Sequence, residues 1–276
     1  GESHAMIATY ENNHTGRTIT GEFNRFAFDA VHDPAYHDLY RTACDKFTAK
    51  QYVADKIGEQ YVAQLFEVGD SPEEVMAKTD RSQYILKYNM NSSKNSFVIN
   101  GRLISPDLMQ IPQKSGTWYF WDKRPKKFFS EEILSKDMFV WNFYCYKGNI
   151  LLVRYLHDKY PTFEVDPKSI VHVDRYVTYP DFVALPWKLG KPDPSFAKYG
   201  IDVSDQYKSY GDFRKADNWK EMIELVKELS TPFPLVRCDM YEADGKVVFS
   251  EFTATFRSFD VSEVSGKYLM EKIRCH

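Results

Sequence analysis

The stretch that most constrains this chain is Leu235 to Thr253, LVRCDMYEADGKVVFSEFT, which reads as two strands about an Asp244-Gly245 turn. Side chains alternate along a strand, so Leu235, Arg237, Asp239 and Tyr241 point one way and Val236, Cys238 and Met240 the other. In the second strand Phe249, Glu251 and Thr253 fall on one side and Val248, Ser250 and Phe252 on the other. One face of the hairpin is thus charged and the other apolar. Asp-Gly permits more than one loop length. A two-residue loop sets Asp239 and Glu251 on opposite faces. A three-residue loop, with Gly245 as a left-handed bulge, sets Arg237 opposite Glu251 and leaves Asp239 diagonal to Glu251 on the same face. The three-residue loop is the expected one. Two carboxylates roughly 7 to 8 Å apart repel, and a divalent cation between them is the usual remedy. A surface hairpin with an Arg237–Glu251 ion pair is the plainer alternative.

The length, 276 residues, allows one bilobed unit or two small domains. Lys plus Arg is 36 against 39 Asp plus Glu, and a net charge of -3 argues against nucleic acid or an anionic membrane as partner. The longest apolar run, Met138 to Tyr146, is broken by Asn142 and is shorter than the ~18 residues of a spanning helix, so no membrane insertion is expected. Gly1 to Ala5 reads like a cloning remnant before Met6, and without a basic-then-apolar leader the expected setting is cytoplasmic. Cys44, Cys145, Cys238 and Cys275 show no C-x-x-C or His spacing and read as reduced thiols. There is no H-E-x-x-H, G-x-S-x-G, G-x-G-x-x-G or Walker loop, which removes support for those enzyme classes.

Residues 6 to 33 show no clear period, and Asp33-Pro34 opens a helix through Ala43. A second helix has Asp45 as N-cap, Ala49, Val53 and Ile57 at four-residue spacing, and Gly58 as left-handed C-cap; Lys46 and Lys50 ride on it. Strands are expected at Val62 to Phe66 and Gln83 to Asn89, with a helix start at Ser71-Pro72-Glu73-Glu74 between them. Lys87 interrupts an apolar run, and a lysine in a buried strand needs an anionic partner to stay charged. The aromatic run Trp118 to Trp121 followed by the basic Lys123 to Lys127 suits an acidic sugar, or is core beside a solvated loop. Met138 to Tyr146 and Ile150 to Leu156 form a hairpin, His157 to Gly211 a long irregular excursion, and Asn218 to Glu221 a capping box before a helix with Trp219, Met222, Ile223, Val226 and Leu229 on its apolar face.

The pattern R-x-D-x-Y, turn, E-x-T, preceded in order by DKFTAKQYVADKIG (Asp45 to Gly58), ILKYN (Ile85 to Asn89) and KDMFVWNFYCYKGN (Lys136 to Asn149), resembles the ATP-grasp superfamily in its TupA-like (teichuronopeptide-biosynthesis) branch, over roughly residues 34 to 260. The resemblance implies an α+β ATP-grasp fold of two lobes with the nucleotide between them: an N-terminal segment 1–33, a lobe 34–130, and a lobe 131–276 that carries the hairpin 235–253. It implies ATP and Mg²⁺ as cofactors, with Asp239 and Glu251 as metal ligands, Arg237 and Lys87 as catalytic groups, and Lys46 and Lys87 on the phosphates. The loop Met90 to Ser96, with Ser92 and Ser93, would close over the phosphates with side chains where the family uses glycine. Glu131 belongs to the adenine segment, backbone groups of Glu132 and Leu134 would read the adenine edge, and Asp137 would take the ribose hydroxyls. Thr253 stands where many relatives place an Asn ligand, and the loop Thr253 to Asp260 replaces one that contains Pro and Gly. The implied reaction joins a carboxylate, on a sugar acid or polysaccharide, to an amine through an acyl phosphate. A kinase and a non-catalytic nucleotide-binding module stay open, as do the identity of both substrates and the oligomeric state.

Overall fold

The structure, a computed structural model, describes residues 11–12, 17–89, 96–103, 125–134, 137–159, 173–190 and 212–276. Ser92, Ser93 and most of the loop expected over the phosphates lie outside these residues, as do Trp118 to Trp121 and the greater part of the irregular excursion.

Two antiparallel sheets organise the chain. Beyond a short pair, β1 (Glu11–Asn12) and β2 (Arg17–Thr18), the first sheet runs β3 (Leu65–Gly69), β7 (Phe128–Glu131), β4 (Gln83–Tyr88), β5 (Ser96–Ile99), β6 (Arg102–Leu103). The second runs β10 (Val173–Thr178), β9 (Asn149–Lys159), β8 (Asp137–Tyr146), β11 (Val236–Ala243), β12 (Lys246–Thr253). The six helices among the described residues are α1 (Glu22–His32), α2 (His37–Ala43), α3 (Thr48–Ile57), α4 (Pro72–Lys78), α5 (Trp219–Ser230) and α6 (Glu263–Arg274).

The large core gathers on the second sheet. Trp141, Phe143, Cys238 and Met240, the inward set that alternation assigns, pack with Met222, Val226 and Leu229 of α5. Helices α1 to α3 join this same core through Phe23, Ala27, Tyr40, Ala49 and Val53, so the residues 34–57 that were expected with the first lobe pack with the second sheet. The first sheet has a small core of its own: Leu86, Tyr88 and Phe128 close on Val75 of α4. Its other face, with Ile85, Lys87 and Glu131, is thereby left to the cleft between the sheets.

Several local expectations hold. Asp45 Oδ1 accepts from the N–H of Phe47 (2.8 Å) and Thr48 (3.0 Å) in the turn that leads into α3, although the N-cap position itself is Phe47, and α3 ends at Gly58, as expected, but with φ 117° and ψ 151° and not in the left-handed helical conformation. Ser71 Oγ accepts from Glu74 N–H and caps α4. Others shift. The strand placed at Val62 to Phe66 begins at Leu65, because Glu59 to Tyr61 makes a 3-10 turn first. Residues 6 to 33 include α1, whose Phe23, Ala27, Phe28 and Val31 are buried at helical spacing. The excursion contains β10, paired along β9. The Asn218–Glu221 capping box is not formed: Asn218 Nδ2 donates to Gly245 O (2.7 Å), and Glu221 accepts from the Tyr61 hydroxyl (2.5 Å).

Candidate functional site

The hairpin turn settles the register by a route the sequence reading did not take. Ala243 pairs with Lys246, so the loop has two residues, Asp244 and Gly245, both at positive φ (50° and 75°). The expected three-residue loop and the Arg237–Glu251 pairing are both corrected. Asp239 nevertheless pairs directly with Glu251, and Arg237 with Thr253, because the register slips by one residue between Met240 opposite Phe249 and Asp239 opposite Glu251. Ser250, exposed, is the extra residue of this bulge. The cause is apolar packing. Phe249 and Phe252 both enter the core, ring centroids 4.8 Å apart, and strict alternation would send them to opposite faces. Glu251 therefore shares its face with Asp239 and not, as expected, with Phe249.

On that face Arg237 holds both acids: Nε and Nη2 donate to Asp239 Oδ1 and Oδ2 at 2.7 and 2.6 Å, and Nη2 reaches Glu251 Oε1 at 3.4 Å. Asp239 is 3% exposed, whereas the Glu251 side chain is 35% exposed. Burial pushes the Asp239 carboxyl up to about 6 despite Arg237, and Glu251 adds to the rise. Burial also disfavours charge on Glu251, but Lys46, Arg237 and Lys87 outweigh it and hold this carboxyl below its ordinary value.

Across the cleft the first sheet and α3 supply lysines. Glu131, 3% exposed, accepts from Lys50 Nζ on one oxygen (2.5 Å) and from Lys87 Nζ on the other. Burial would raise the Glu131 carboxyl, yet Lys87 and Lys50 bring it below its ordinary value. Burial and Lys87 pull Lys46 below its ordinary value against the support of Glu251 and Glu131, and it lines the same cavity as both acids. Its segment is tied to the end of β4: Lys46 N–H donates to Asn89 O (3.3 Å), and Asn89 Nδ2 donates to Asp45 Oδ2 (2.9 Å).

These groups line a cavity of about 110 Å³ whose polar half is Lys46, Lys50, Lys87, Glu131 and Glu251. The other half is apolar: Val62, Ala63, Ile85, Leu134, Tyr241 and Phe249. The lining thus combines lysines and carboxylates with apolar side chains, a mixture that suits a ligand with both anionic and apolar parts. The sequence-predicted Lys46, Lys87, Glu131, Glu132, Leu134 and Glu251 all line this cavity, and Arg237 and Asp239 adjoin it through Glu251. Glu132 N–H donates to Gln64 O (3.0 Å), which corrects one detail: of its backbone groups, the donor is already committed to the sheet edge. Asp137 opens β8, opposite Lys159.

Sequence reasoning placed Lys50 on the helix with Lys46 but gave it no part in the site; α3 begins at Thr48, so Lys50 stands on it and Lys46 just before it. It also passed over the row in register with Asp239. Asn142 pairs with Asp239 on one side and Arg154 on the other, so all three share the cleft face. Asn142 is 2% exposed and its Oδ1 has no hydrogen-bond partner among the described residues. The loop after Thr253 is a 3-10 turn, Phe256–Phe259, anchored by Phe256 on Phe23 (5.9 Å) and Phe259 on Phe28 (5.3 Å).

Among the described residues no three His, Cys, Asp or Glu converge. A pair of hard carboxylate oxygens is nonetheless the donor set Mg²⁺ favours, since it takes its remaining ligands from water and substrate phosphates and not from an all-protein cage. Asp239 and Glu251 fit that role. No helix among the described residues is long and apolar enough to cross a membrane.

No curated protein sequence matches the chain. Similar solved structures include the ATP-grasp ligase PsnB complexed with a minimal precursor (13% identity, TM-score 0.42, covering 87% of this chain and 62% of that one). They also include D-alanine-D-alanine ligase from Helicobacter pylori (11%, 0.42, 88% and 69%) and D-alanyl-alanine synthetase A from Vibrio cholerae (10%, 0.43, 85% and 65%). The chain thus spans about three fifths of the PsnB chain. The family model described as TupA-like ATPgrasp matches residues 199–269, about a quarter of the chain and the segment that holds Arg237, Asp239 and Glu251.

Proposed function

We propose that the chain is an ATP-dependent carboxylate-amine ligase that acts on a sugar-acid or polysaccharide carboxylate in the cytoplasm. The observation that carries this reading is the cleft in which lysines from α3 and β4 face the Asp239–Glu251 pair of the second sheet, among apolar side chains. Leu134, Ile85 and Tyr241 supply apolar lining for the adenine, the backbone of Leu134 and the Glu132 carbonyl read its edge, and Asp137 takes the ribose. Lys46 and Lys87 bind the phosphates. Asp239 and Glu251 hold Mg²⁺, which supplies charge neutralisation at the phosphate oxygens. Arg237, oriented by its two bonds to Asp239, presents its remaining N–H groups to the charge that develops on the transferring phosphoryl group. A substrate carboxylate oxygen attacks the γ-phosphorus and ADP leaves. The amine then adds to the acyl phosphate, and phosphate and a proton depart as the amide forms.

The test is ADP release against pools of sugar acids and amino acids. Turnover requires one carboxylate and one amine, and hydroxylamine in place of the amine yields a hydroxamate. A stable phosphorylated product from a single acceptor, with no hydroxamate, replaces the ligase by a kinase. Tight Mg-ATP binding with no turnover from any pool replaces it by a non-catalytic module.

A further inference from the structure

Glu131 is a buried carboxylate with two lysines, and they use separate oxygens: Lys50 on Oε2 at 2.5 Å, Lys87 on Oε1. If Lys87 turns toward a phosphate, a lone Glu131–Lys87 pair would leave a buried charge without its counter-ion, which is strongly unfavourable. The second lysine changes this. Lys50 comes from α3, not from the first sheet. Lys46, two residues before α3, and Lys50, within it, both line the cavity that holds Glu131 and Glu251, and Lys50 is the one bonded to Glu131 through Oε2.

We infer that Lys50 is a positioning residue of the nucleotide site: it keeps Glu131 paired so that Lys87 can exchange the carboxylate for a phosphate oxygen without stranding a buried charge. This rests on the nucleotide reading above. It separates the three lysines by task, with Lys46 and Lys87 on the ligand and Lys50 on the protein. It also gives Glu131 a role the adenine-segment reading did not, as the resting partner from which Lys87 is released.

A double-mutant cycle tests it, with the Mg²⁺ complex of a non-hydrolysable ATP analogue titrated calorimetrically into wild type, Lys50→Met, Glu131→Gln and the double variant. Lys50→Met weakens binding by about tenfold or more, because Lys87 now leaves Glu131 uncompensated. In the Glu131→Gln background the same change costs less than about twofold, since no charge is left behind. Lys50→Arg, which restores a cation to Oε2, recovers most of the affinity. The double variant carries neither member of the Lys50–Glu131 pair and folds even where Lys50→Met alone does not, so the comparison with Glu131→Gln survives. An equal loss in both backgrounds means that Lys50 touches the ligand itself and overturns the inference, as does a Lys50→Met variant that binds as tightly as wild type. Wild type that takes up no nucleotide at all overturns the reading beneath it as well.

Discussion

Asp239→Asn offers a test of the hairpin that needs no substrate. In the folded chain burial, aided by the facing Glu251, pushes the Asp239 carboxyl up from its ordinary 3.8 to about 6 against the pull of Arg237. The folded state therefore holds this proton more tightly than the unfolded state, and stability falls as pH rises from about 4 through about 6. The gap, at ~1.4 kcal/mol per pH unit, makes the charged Asp239 cost about 3 kcal/mol once pH exceeds about 7. Asparagine keeps the shape and stays neutral, so it escapes that cost. Urea unfolding in EDTA at pH values from about 4 to about 8 reads the effect directly. The two chains should be nearly matched at the acid end, with Asp239→Asn the more stable by about 3 kcal/mol at the alkaline end. Mg²⁺ should then narrow the gap, because a cation bound to the charged form stabilises only wild type. A difference that does not change with pH, or a wild type that is the more stable at pH ~8 without metal, refutes the argument. Equal stabilisation of both chains by Mg²⁺ removes Asp239 from the metal site.

Four further outcomes follow from the geometry. Lys87→Met should weaken Mg-ATP by about tenfold or more in calorimetry, since a charge-assisted contact to phosphate is lost; unchanged affinity removes Lys87 from the phosphate site. Glu251→Gln should abolish metal-dependent ADP release while the melting curve stays cooperative, and full activity would make the carboxylate pair structural. Tyr40→Phe should cost about 1 to 3 kcal/mol in urea unfolding, because the buried hydroxyl donates to Leu235 O at 2.6 Å and accepts from Leu235 N–H at 3.3 Å where β11 begins; a neutral result denies the anchor its importance. Asn142→Leu should be neutral or stabilising by about 1 kcal/mol, since the amide oxygen it removes is buried without a partner among the described residues; clear destabilisation would show a contact that the amide makes.

How much of this was legible from the residues depends on range. Helix starts were legible, because Asp45 and Ser71 act on N–H groups two or three residues away. Lys87 was legible as anomalous in its strand, but its partner Glu131 was not, since that pairing depends on β4 lying beside β7. Helix α1 was missed although Phe23, Ala27, Phe28 and Val31 carry the helical period; the surrounding polar and aromatic residues masked it. The capping box at Asn218 failed for a reason of distance: the hairpin turn at Gly245 comes close enough to claim that side chain. The gathering of Asp239 with Glu251 was anticipated, but through a loop that is not there.

That last discrepancy has a use in aligning such hairpins. Around a regular two-residue turn, directly paired residues are always separated along the chain by an odd count, whereas Asp239 and Glu251 are separated by an even one. Evenness alone therefore announces one surplus residue between the two acids, and leaves its address open: in the turn, or in either strand. In this chain the address is Ser250, chosen by the two phenylalanines that flank it one residue before and two after. Parity of spacing, and not the turn motif, is thus the quantity that a related hairpin must preserve to keep its acids side by side, and gaps in an alignment of this segment belong in pairs.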